Sequence, residues 1–562
     1  MTALLTNNLP LLAGAPNGIK KLRELILELA VRGKLVPQDP RDEPASELLK
    51  RIAEEKARQV SEGKIKKQKP LSGITDLDKP FPLPKGWAWL RLGDLTLTIL
   101  SGGTPSKNVP EYWGGDIPWA SVKDLNVYRD LVTTQDYITE EGLAAGSKLA
   151  KKGEVLICTR MGLGKIAVAA MDVAINQDLK ALRLTCQLNL DYFLNFYRTL
   201  SIIGSGMTVA GIKQDELLSF LVPMPPLAEQ HRIVAKVDEL MALCDRLEAR
   251  QADAESAHAQ LVQALLGSLT QARDAEDFAQ SWQRLAEHFH TLFTTESSID
   301  ALKQTLLQLA VMGKLVPQDP SDEPASELLK RIAEEKARLV AEGKLKKQKP
   351  LAEIDESEMS FELPLGWKWQ RFADFALDVS TGPFGSLIHQ SDYVNGGVPL
   401  VNPSHMIDGR IVADSSVSLL PDMAASLNSY RLSAGDIVMA RRGEVGRAAL
   451  VTEAEEGWLC GTGSFVLRFT SEISRAYVWI LFRCHSVRTY LAGAAVGTTM
   501  VNLNHGILLK MPIAVPPITE QHRIVAKVDQ LMALCDQLKT RLNQVRQVHE
   551  QLAGALVEQA VA

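Results

Sequence analysis

One short segment of the chain resembles a phosphate-binding loop. The stretch Gly162-Leu163-Gly164-Lys165 places a lysine after two glycines, an arrangement in which backbone amides and the lysine can hold nucleotide phosphates. A P-loop also needs a glycine five residues before the one that precedes the lysine, and a serine or threonine after the lysine to bind Mg²⁺. Those two positions hold Thr159 and Ile166. The spacing therefore disfavours ATP binding.

Acidic residues at two other places could be fitted to a metal-dependent nuclease. The triplets at residues 62–64 and 342–344 match the E-x-K half of such a site, and Asp42 or Asp322 would supply the other carboxylate. A metal nuclease needs carboxylates held in fixed positions, whereas these lie at a lysine-rich helix end that the charge pattern predicts to be solvated. We therefore expect neither a metal site nor catalytic residues here.

Other catalytic signatures do not occur in the sequence. DNA amino-methyltransferases position the target amine with an Asn-Pro-Pro-aromatic or Asp-Pro-Pro-aromatic tetrapeptide, and residues 402–405 (Asn-Pro-Ser-His) match it only distantly. Neither G-x-S-x-G nor H-E-x-x-H occurs either. The expected class is therefore a binding or scaffolding protein.

The composition is that of a folded protein. The 562 residues are 46% hydrophobic and 23% charged, which is enough chain for roughly three or four domains. The sequence contains neither an apolar run of membrane-spanning length nor a signal-peptide pattern, so we expect a cytoplasmic protein. Six cysteines without a C-x-x-C pair suggest neither disulfides nor a zinc site, and we expect them to be buried. The net charge of -5 argues against a simple basic nucleic-acid binder.

The strongest pattern in the sequence is internal repetition. Residues 29–71 recur at 309–351 with five mismatches. A second block, PP-x-x-EQHRIVAKVD-x-LMALCD-x-L, begins at Pro225 and again at Pro516. The segments between the blocks are unlike each other, yet each opens with Gly-Trp-x-Trp. The two shifts, of 280 and 291 residues, are far longer than a solenoid repeat, so the chain is two copies of one plan.

The repeated blocks are predicted to be helical. Apolar residues at helical spacing run from Pro44 to Glu62, and Gly63 suits a helix end. After each Pro-Pro pair the apolar residues follow heptads, which predicts two helices of about forty residues packed as an antiparallel coiled coil. His258 and His549 share one position of this seam, which favours fixing of the helix register over metal binding. The predicted seam comprises Ile233, Val237, Leu240, Cys244, Leu247, Gln251, Ala254, His258, Leu261 and Leu265, and in the second copy Ile524, Val528, Leu531, Cys535, Leu538, Leu542, Val545, His549, Leu552 and Leu556.

The unlike segments near 87–225 and 367–515 are predicted to be α+β domains. Both contain short apolar runs punctuated by glycine and proline, which indicate strands, and helical stretches are predicted at 192–202 and 475–491. Basic and acidic residues balance, with fourteen of each in 85–225 and twelve of each in 365–515, so the net charge of -5 lies in the helices and termini. The connection near 269–305 is predicted to be helical.

Four groups of residues carry a family resemblance. Each unlike segment opens with Pro-x-Gly-Trp-x-Trp and is closed by a Pro-Pro-x-x-Glu-Gln helix. Inside the first segment, the motif at 101–106 (SGGTPS) is followed by 116–119 (DIPW), and inside the second, 381–386 (TGPFGS) precedes 442–446 (RGEVG). This layout resembles the specificity subunit of Type I restriction-modification enzymes over nearly the whole chain from about residue 20.

The resemblance implies a noncatalytic DNA-binding subunit. Two target recognition domains would each read one half of a bipartite site in double-stranded DNA, while the repeated helices set the spacing and dock two methyltransferase subunits. Restriction subunits would join the complex, and these partners rather than this chain would hold S-adenosylmethionine, ATP and Mg²⁺. Two alternatives remain: a noncatalytic coiled-coil scaffold with two ligand-binding domains, and a fused DNA nuclease or methyltransferase, which is disfavoured because no room remains for a methyltransferase domain.

The expected fold is α+β, with two globular target recognition domains separated by long repeated helices in an approximately two-fold arrangement. The predicted division is an N-terminal helical repeat region at 1–85, the first recognition domain at 86–225, a central long helix and helical connection at 226–305, a second helical repeat region at 306–365, the second recognition domain at 366–515 and a C-terminal long helix at 516–562.

Candidate DNA contacts follow from side-chain chemistry. Glycine-rich turns could bring N–H groups and hydroxyls to phosphates or base edges, loop cations after apolar strands could pair with guanine, and Asn or Gln before each closing helix suits adenine. For the turns and cations, ordinary strand connections and surface solvation are the alternatives. The candidates are Gly102, Gly103, Thr104, Ser106, Lys107, Arg160, Lys165, Thr208, Lys213 and Gln214 in the first domain, and Gly382, Phe384, Gly385, Ser386, Arg441, Arg442, Arg447, Asn502, Asn504 and His505 in the second.

Overall fold

The computed structural model of the chain describes residues 12–67, 71–204, 210–273, 275–383, 387–444, 446–493 and 503–561. It divides into two compact units. Unit 1 comprises Met1–Ala254 with Val545–Ala562, and unit 2 comprises Glu255–Gln544. Each unit therefore contains one copy of the repeated helices and one of the unlike segments.

Among the described elements of unit 1 with stated bounds, two helices precede an α+β domain, and the first part of a long helix follows it. Its elements are α1 (Gly18–Val31), α2 (Ala45–Ser61), β1 (Ala88–Arg91), α3 (Leu92–Leu95), β2 (Thr96–Ser101), β3 (Trp113–Ala120), β4 (Asp130–Leu131), β5 (Asp136–Ile138), α4 (Glu140–Gly146), β6 (Lys148–Ala150), β7 (Val155–Cys158), β8 (Ile166–Ala169), β9 (Val173–Ile175), β10 (Leu179–Leu184), α5 (Leu190–Tyr197), α6 (Gln214–Ser219), β11 (Leu221–Met224) and α7 (Leu227–Thr270), which ends in unit 2.

Unit 2 repeats this order after a helical connection. Its elements are α8 (Ala275–Glu287), α9 (Phe289–Leu292), α10 (Glu296–Val311), α11 (Ala325–Ala341), β12 (Lys368–Arg371), α12 (Phe372–Phe375), β13 (Asp378–Thr381), β14 (Val398–Val401), β15 (Met406–Ile407), β16 (Arg410–Ile411), β17 (Ser418–Leu419), α13 (Pro421–Ser426), β18 (Ile437–Ala440), β19 (Ala448–Leu450), β20 (Leu459–Cys460), β21 (Ser464–Arg468), α14 (Arg475–Arg483), α15 (His485–Gly493), α16 (His505–Lys510), β22 (Pro512–Val515) and α17 (Ile518–Val561), which ends in unit 1.

The two α+β domains share one sheet order despite their unlike sequences. Unit 1 contains the antiparallel series β2-β10-β7-β8, extended by β4 in parallel, and unit 2 contains the antiparallel series β13-β21-β18-β19. The remaining strands differ. Unit 1 adds the sheet β5-β3-β9-β6, whereas unit 2 adds β17-β14-β20 and the hairpin β15-β16.

Each domain is closed by its first and last strands. β1 pairs antiparallel with β11, which aligns Ala88 with Met224, and β12 pairs antiparallel with β22, which aligns Lys368 with Val515. Because these strands are neighbours, the chain enters and leaves each domain at the same place.

A buried hydrogen-bond network explains the Gly-Trp and Glu-Gln motifs of unit 1. The indole N–H of Trp87 donates to Glu229 Oε2 at 3.0 Å, and the Gln38 amide donates to Glu229 Oε1 at 3.1 Å. Gln230 accepts the backbone N–H of Asn189 at 2.8 Å. Burial raises the pKa of Glu229, and the two donors act against that shift. The network therefore ties the first turn of α7 both to the opening of the domain and to the start of α5.

The same network recurs in unit 2. Glu520 accepts from the Trp367 indole at 2.9 Å and from the Gln318 amide at 3.1 Å, and Gln521 accepts the backbone N–H of Ser474 at 3.2 Å. Burial likewise raises the pKa of Glu520. The repeated motifs are thus joints between each domain and its helices.

The helical core of each unit contains the start of one long helix and the end of the other. In unit 1, Ile233 and Val237 of α7 share a buried cluster with Ala553 and Ala560 near the end of α17. In unit 2, the residues in the last turns of α7 share a cluster with the first turns of α17. This reciprocal pattern is what an antiparallel helix pair requires.

Buried positions along the long helices follow a straight helix rather than strict heptads. Leu261, a predicted seam residue, is 52% exposed, whereas Val262 is 3% exposed. In α17, Leu552 is likewise exposed and Ala553 is buried. From Cys244 to Val262 is 18 residues, which equals five turns of about 3.6 residues, whereas five turns of a 3.5-residue repeat span about 17.5 residues, so the buried position moves from Leu261 to Val262. Beyond the first half of each helix the predicted seam residues Leu265 and Leu556 still pack on the core, whereas the prediction is wrong by one residue at Leu261 and Leu552.

Other sequence predictions differ from the structure in detail. The helix predicted at 192–202 runs over Leu190–Tyr197, and the one predicted at 475–491 is two helices, α14 and α15. The connection after α7 is helical, as predicted. All six cysteines are free, and Cys186 is exposed, contrary to the expectation that all are buried.

Candidate nucleic-acid interface

An eight-residue turn joins equivalent strands in the two units. In unit 1 the turn spans residues 158–165 between β7 and β8, and in unit 2 it spans 440–447 between β18 and β19. In both turns the first residue donates its N–H to the carbonyl oxygen of the last, at N···O distances of 3.1 Å and 2.7 Å. The positions with left-handed backbone coincide, at Met161 and Gly164 in unit 1 and at Gly443 and Gly446 in unit 2.

The glycines of the first candidate loop pack against neighbouring backbone. The Gly102 N–H donates to the Leu179 carbonyl at 3.3 Å, and the Gly103 N–H donates to the Ile175 carbonyl at 2.9 Å. A Cβ on either glycine would lie 2.0 Å from a backbone carbonyl oxygen. Both N–H groups therefore already have backbone partners, and the absence of a side chain permits the close packing; a DNA contact by these glycines stays a prediction.

Two candidate loops of unit 1 meet at the turn formed by residues 176–178. On one side the Thr104 hydroxyl donates to the Gln177 side-chain oxygen. On the other side Arg160 Nε lies 3.8 Å from Oδ1 of the buried Asp178, while the Arg160 side chain stays 48% exposed. The glycine-rich loop and the 158–165 turn are therefore neighbours, so they can contribute to one surface.

The other unit 1 candidates divide into exposed groups and groups with structural contacts. Lys107 and Lys213 are exposed, and Gln214 begins α6. Lys165 donates to the Val122 carbonyl at 3.3 Å, so its ammonium group helps to hold the turn. The exposed Ser106 accepts the Trp113 indole N–H on its carbonyl oxygen at 3.2 Å.

The three candidate arginines of unit 2 have different environments. Arg447 Nε donates to Glu444 at 3.0 Å, and Arg488 also binds Glu444, so the Arg447 charge is matched within the domain. Arg441 lies over the Phe465 ring at 5.5 Å, and burial lowers its pKa. Arg442 is exposed. Among these three, Arg442 is therefore the strongest candidate for a DNA contact.

Three more unit 2 candidates have structural roles. Gly382 donates its N–H to the Ser464 carbonyl at 2.9 Å, so this N–H already has a partner within the domain. Asn504 caps α16 through a hydrogen bond from the Gly506 N–H at 2.8 Å. His505 Nε2 lies 2.7 Å from the Val379 carbonyl oxygen. The candidates Thr208, Phe384, Gly385, Ser386 and Asn502 lie outside the described residues.

Two exposed features near these candidates were missed in the sequence. Met161, at the tip of the unit 1 turn, is 68% exposed with φ of 59°. Tyr128 is 69% exposed and carries the Arg198 guanidinium 4.5 Å above its ring. Their types and spacing form no motif, and their exposure depends on tertiary packing, so the sequence held no signal for them.

The β15-β16 hairpin of unit 2 has no counterpart in the described part of unit 1. Its tip residues Asp408 and Gly409 have φ of 48° and 77°, and Ile407 is half exposed. A Cβ on Gly409 would lie 2.2 Å from the ring of Trp479, so the hairpin is held against α14. A cavity of about 750 Å³ lies beside it, lined by cations and acids that include Arg447 and Glu444.

Within the described residues, no group of three or more His, Cys, Asp or Glu side chains is arranged to hold a metal ion. The helices in that same part of the chain contain no segment long and apolar enough to cross a membrane.

Comparison with known proteins decides the family. The model of the Type I restriction modification DNA specificity domain matches residues 84–255 and 384–547. The chain belongs to this Type I restriction-modification specificity family. Both matches end within a long helix, so they include Glu229 and Glu520 of the joints, but the second match begins after Trp367.

Relatives in the specificity family match over nearly their whole length. The Type I restriction enzyme EcoEI specificity subunit of Escherichia coli is 38% identical over 97% of this chain and 94% of the relative. The EcoAI specificity subunit of Escherichia coli is 39% identical, with the same shares covered. A solved chain from a study of complex assembly in the type I R-M system is 19% identical, with a TM-score of 0.47 over 86% of this chain and 99% of that chain.

The family model and the relatives confirm the predicted family, and the helices and sheets of the structure confirm the α+β fold class. The family model and the relatives also confirm that the chain is a specificity subunit with two target recognition domains rather than an enzyme in its own right, since the matched model is that of a DNA specificity domain. The individual DNA contacts and the six-part domain division stay predictions.

Proposed function

We propose that this chain reads a bipartite site in double-stranded DNA, with one half-site recognised by each target recognition domain. The observation that carries this proposal is the contrast within the chain. The two domains share a sheet order and an eight-residue turn, and both turns keep an exposed arginine (Arg160, Arg442) but differ at the next residue, which is Met161 in one and Gly443 in the other. Base edges are read by side chains placed in a groove of the DNA. Two domains with similar folds but different exposed side chains are therefore expected to recognise two different half-sites.

The repeated surfaces support docking of two copies of one partner. Residues 29–67 and 309–347 agree at every exposed position except Arg41 and Ser61, which are Ser321 and Ala341 in the second copy. Buried positions can coincide because they must pack alike, but exposed positions have no such reason to coincide. We infer that methyltransferase subunits bind here, one to each copy.

The long helices are proposed to set the distance between the half-sites. Each contains 44 residues and is about 66 Å long at about 1.5 Å per residue. The joint networks at Glu229 and Glu520 fix each recognition domain on the first turns of its helix. A change in helix length should therefore change the spacing that the domains read.

Catalysis is assigned to the partners. S-adenosylmethionine would be held by the methyltransferase subunits, and ATP and Mg²⁺ by restriction subunits, in a cytoplasmic complex. The recognition domains carry balanced charge, with fourteen basic and fourteen acidic residues in 85–225, so phosphate attraction by this chain alone is expected to be modest. Partner subunits would add the remaining positive charge around the duplex.

The proposal is tested by co-expressing the chain with its methyltransferase subunits and mapping genomic methylation. The expected result is adenine methylation at one bipartite sequence, together with duplex binding by the purified complex. The chain alone, supplied with S-adenosylmethionine, should methylate nothing. Robust methylation by the isolated chain, or a complex without sequence preference, would overturn the proposal.

A further inference from the structure

Met161 occupies an unfavourable position in two independent ways. Its φ of 59° lies in the left-handed region, where a side chain other than that of Gly, Asn or Asp is strained. Its side chain is 68% exposed, so most of its apolar surface faces water. A methionine at this position is therefore explained neither by a preference for this backbone conformation nor by packing in the core. Such an outlier is a reason to look for a function.

The second unit supplies an internal control. Gly443 occupies the equivalent position of the equivalent turn, with φ of 73°, where glycine carries no steric penalty. The turn can therefore be built without a side chain at this position. Met161 is not required by the turn geometry, so its role is more readily explained by what it touches outside the chain.

The turn that carries Met161 is held on both flanks. The Thr159 N–H donates to the Asp178 carbonyl at 2.8 Å, and the Thr159 carbonyl accepts the Ile212 N–H at 2.9 Å. On the other flank the Lys165 ammonium donates to the Val122 carbonyl at 3.3 Å. These hydrogen bonds hold the turn in place before any partner binds, so binding through Met161 costs less conformational entropy.

The surroundings of Met161 favour a nucleic-acid partner. Arg160 precedes it with a half-exposed guanidinium, and the backbone of Arg160 bridges to Gly211, two residues before the exposed Lys213. An apolar tip between cations matches a duplex, where apolar bases lie between rows of phosphates. Proteins that deform DNA insert Met, Leu, Ile or Phe between base pairs in this way.

We propose that Met161 inserts at a base step in the half-site read by the first recognition domain and partly unstacks it. This inference rests on the proposed function, since it assumes that the domain binds duplex DNA. Gly443 has no side chain to insert, so the second domain should not unstack DNA at its equivalent turn.

The test uses the complex of this chain with its methyltransferase subunits and duplexes that carry 2-aminopurine at successive positions of the first half-site. Unstacking raises 2-aminopurine fluorescence. Besides a rise at the methylated adenine, which a methyltransferase takes out of the stack, the wild-type complex should show a second rise at one other step. M161L should retain this second rise, and M161G and M161N should lose it. Duplex affinity should fall about tenfold in M161G and M161N, as for one lost base contact.

Stability separates this role from a structural one. Glycine and asparagine tolerate the left-handed backbone, so M161G and M161N should melt at or above the wild-type temperature. A lower melting temperature in both variants would assign Met161 to packing and overturn the inference, as would an unchanged second fluorescence rise in M161G. Weaker assembly with the methyltransferase subunits would identify a protein pocket as the site of Met161 and would also overturn it. If the wild-type complex bound no specific duplex, the proposed function itself would be wrong.

Discussion

The two units are most alike where they are helical and least alike where they carry turns. Residues 29–67 and 309–347 agree at nearly every exposed position, and the two joints use the same Trp, Glu and Gln contacts. Their recognition domains share strand order, but the equivalent turns present Arg160 and Met161 in one unit and Arg442 and Gly443 in the other. The repeated helices are therefore alike in the two units, the recognition domains that they carry differ, and the joint lies between the two parts.

Exchange of a whole recognition domain should give the largest effect. Replacement of residues 90–224 with the corresponding domain of another family member should change one half of the recognised site and leave the other half intact. The paired strands β1 and β11 allow this exchange, because the domain enters and leaves the frame at one place. Methylome sequencing measures the outcome, and exchange of the equivalent unit 2 segment is the control. A change in both halves would show that the two readers depend on each other.

Lengthening both long helices should alter spacing while sparing both half-sites. One heptad inserted after Leu247 and one after Leu538 lengthens each helix by about 10 Å, or about three base pairs at about 3.4 Å each. Seven residues keep the buried face within about 20°. The nonspecific spacer should grow by about three base pairs. An assembled, active variant with unchanged spacing would show that the helices do not set the distance.

Removal of one hydrogen bond from a joint should lower the free energy of unfolding by the same amount in the two units. The W87F variant leaves Glu229 Oε2 without its indole donor, and the expected cost is about 1–3 kcal/mol in the free energy of unfolding, measured by urea denaturation. W367F should cost the same, because Glu520 has the same partners.

The second tryptophan of the motif, Trp89, provides a matched control for this joint. Its indole N–H is buried and has no hydrogen-bond partner among the described residues. W89F therefore makes the same change of ring as W87F, from indole to phenyl, without breaking a hydrogen bond. A cost for W89F as large as that for W87F would attribute the loss to ring packing rather than to the Glu229 contact.

The parts of this fold that could be predicted from the sequence are those in which repetition makes residue types and spacing visible. The Pro-Pro-x-x-Glu-Gln helix and the Gly-Trp motif predicted the helices and the domain edges. Heptad counting was wrong at Leu261 and Leu552, because a straight helix gains about half a residue on a 3.5-residue repeat over five turns. That difference depends on packing partners that the sequence does not identify.

The candidate site was less predictable, for a related reason. Glycines at 102 and 103 were expected to expose their N–H groups, but these donate to strands that are distant in sequence. Arg447 was expected to face DNA, but it pairs with Glu444. The exposure of Met161 follows from a left-handed turn position that glycine usually occupies, so its residue type gave no indication of its conformation.

The smallest expected difference between the two units is in how their stability depends on pH. In unit 2, Arg371 donates to both oxygens of Glu358, each at 2.7 Å, and holds the pKa of Glu358 at about 2. In unit 1 the equivalent Arg91 lies 3.8 Å from Asp78, whose pKa is lowered mainly by hydrogen bonds from Thr75. The arginine contact therefore matters more to the acid in unit 2.

The sign of the effect follows from the lowered pKa of Glu358. The unfolded chain binds the proton first as pH falls, so stability contributed by this pair is present above the ordinary Glu pKa of 4.5 and is lost as pH falls towards about 2. Because the Glu358 side chain is 36% exposed, we expect a modest change. Urea midpoints should show E358Q below wild type at pH 6, with the gap closing by pH 2.5, while R91Q should shift the midpoint less than R371Q at pH 6. A gap for E358Q that stayed constant across this range would mean that the side chain stabilises unit 2 by packing rather than by its charge.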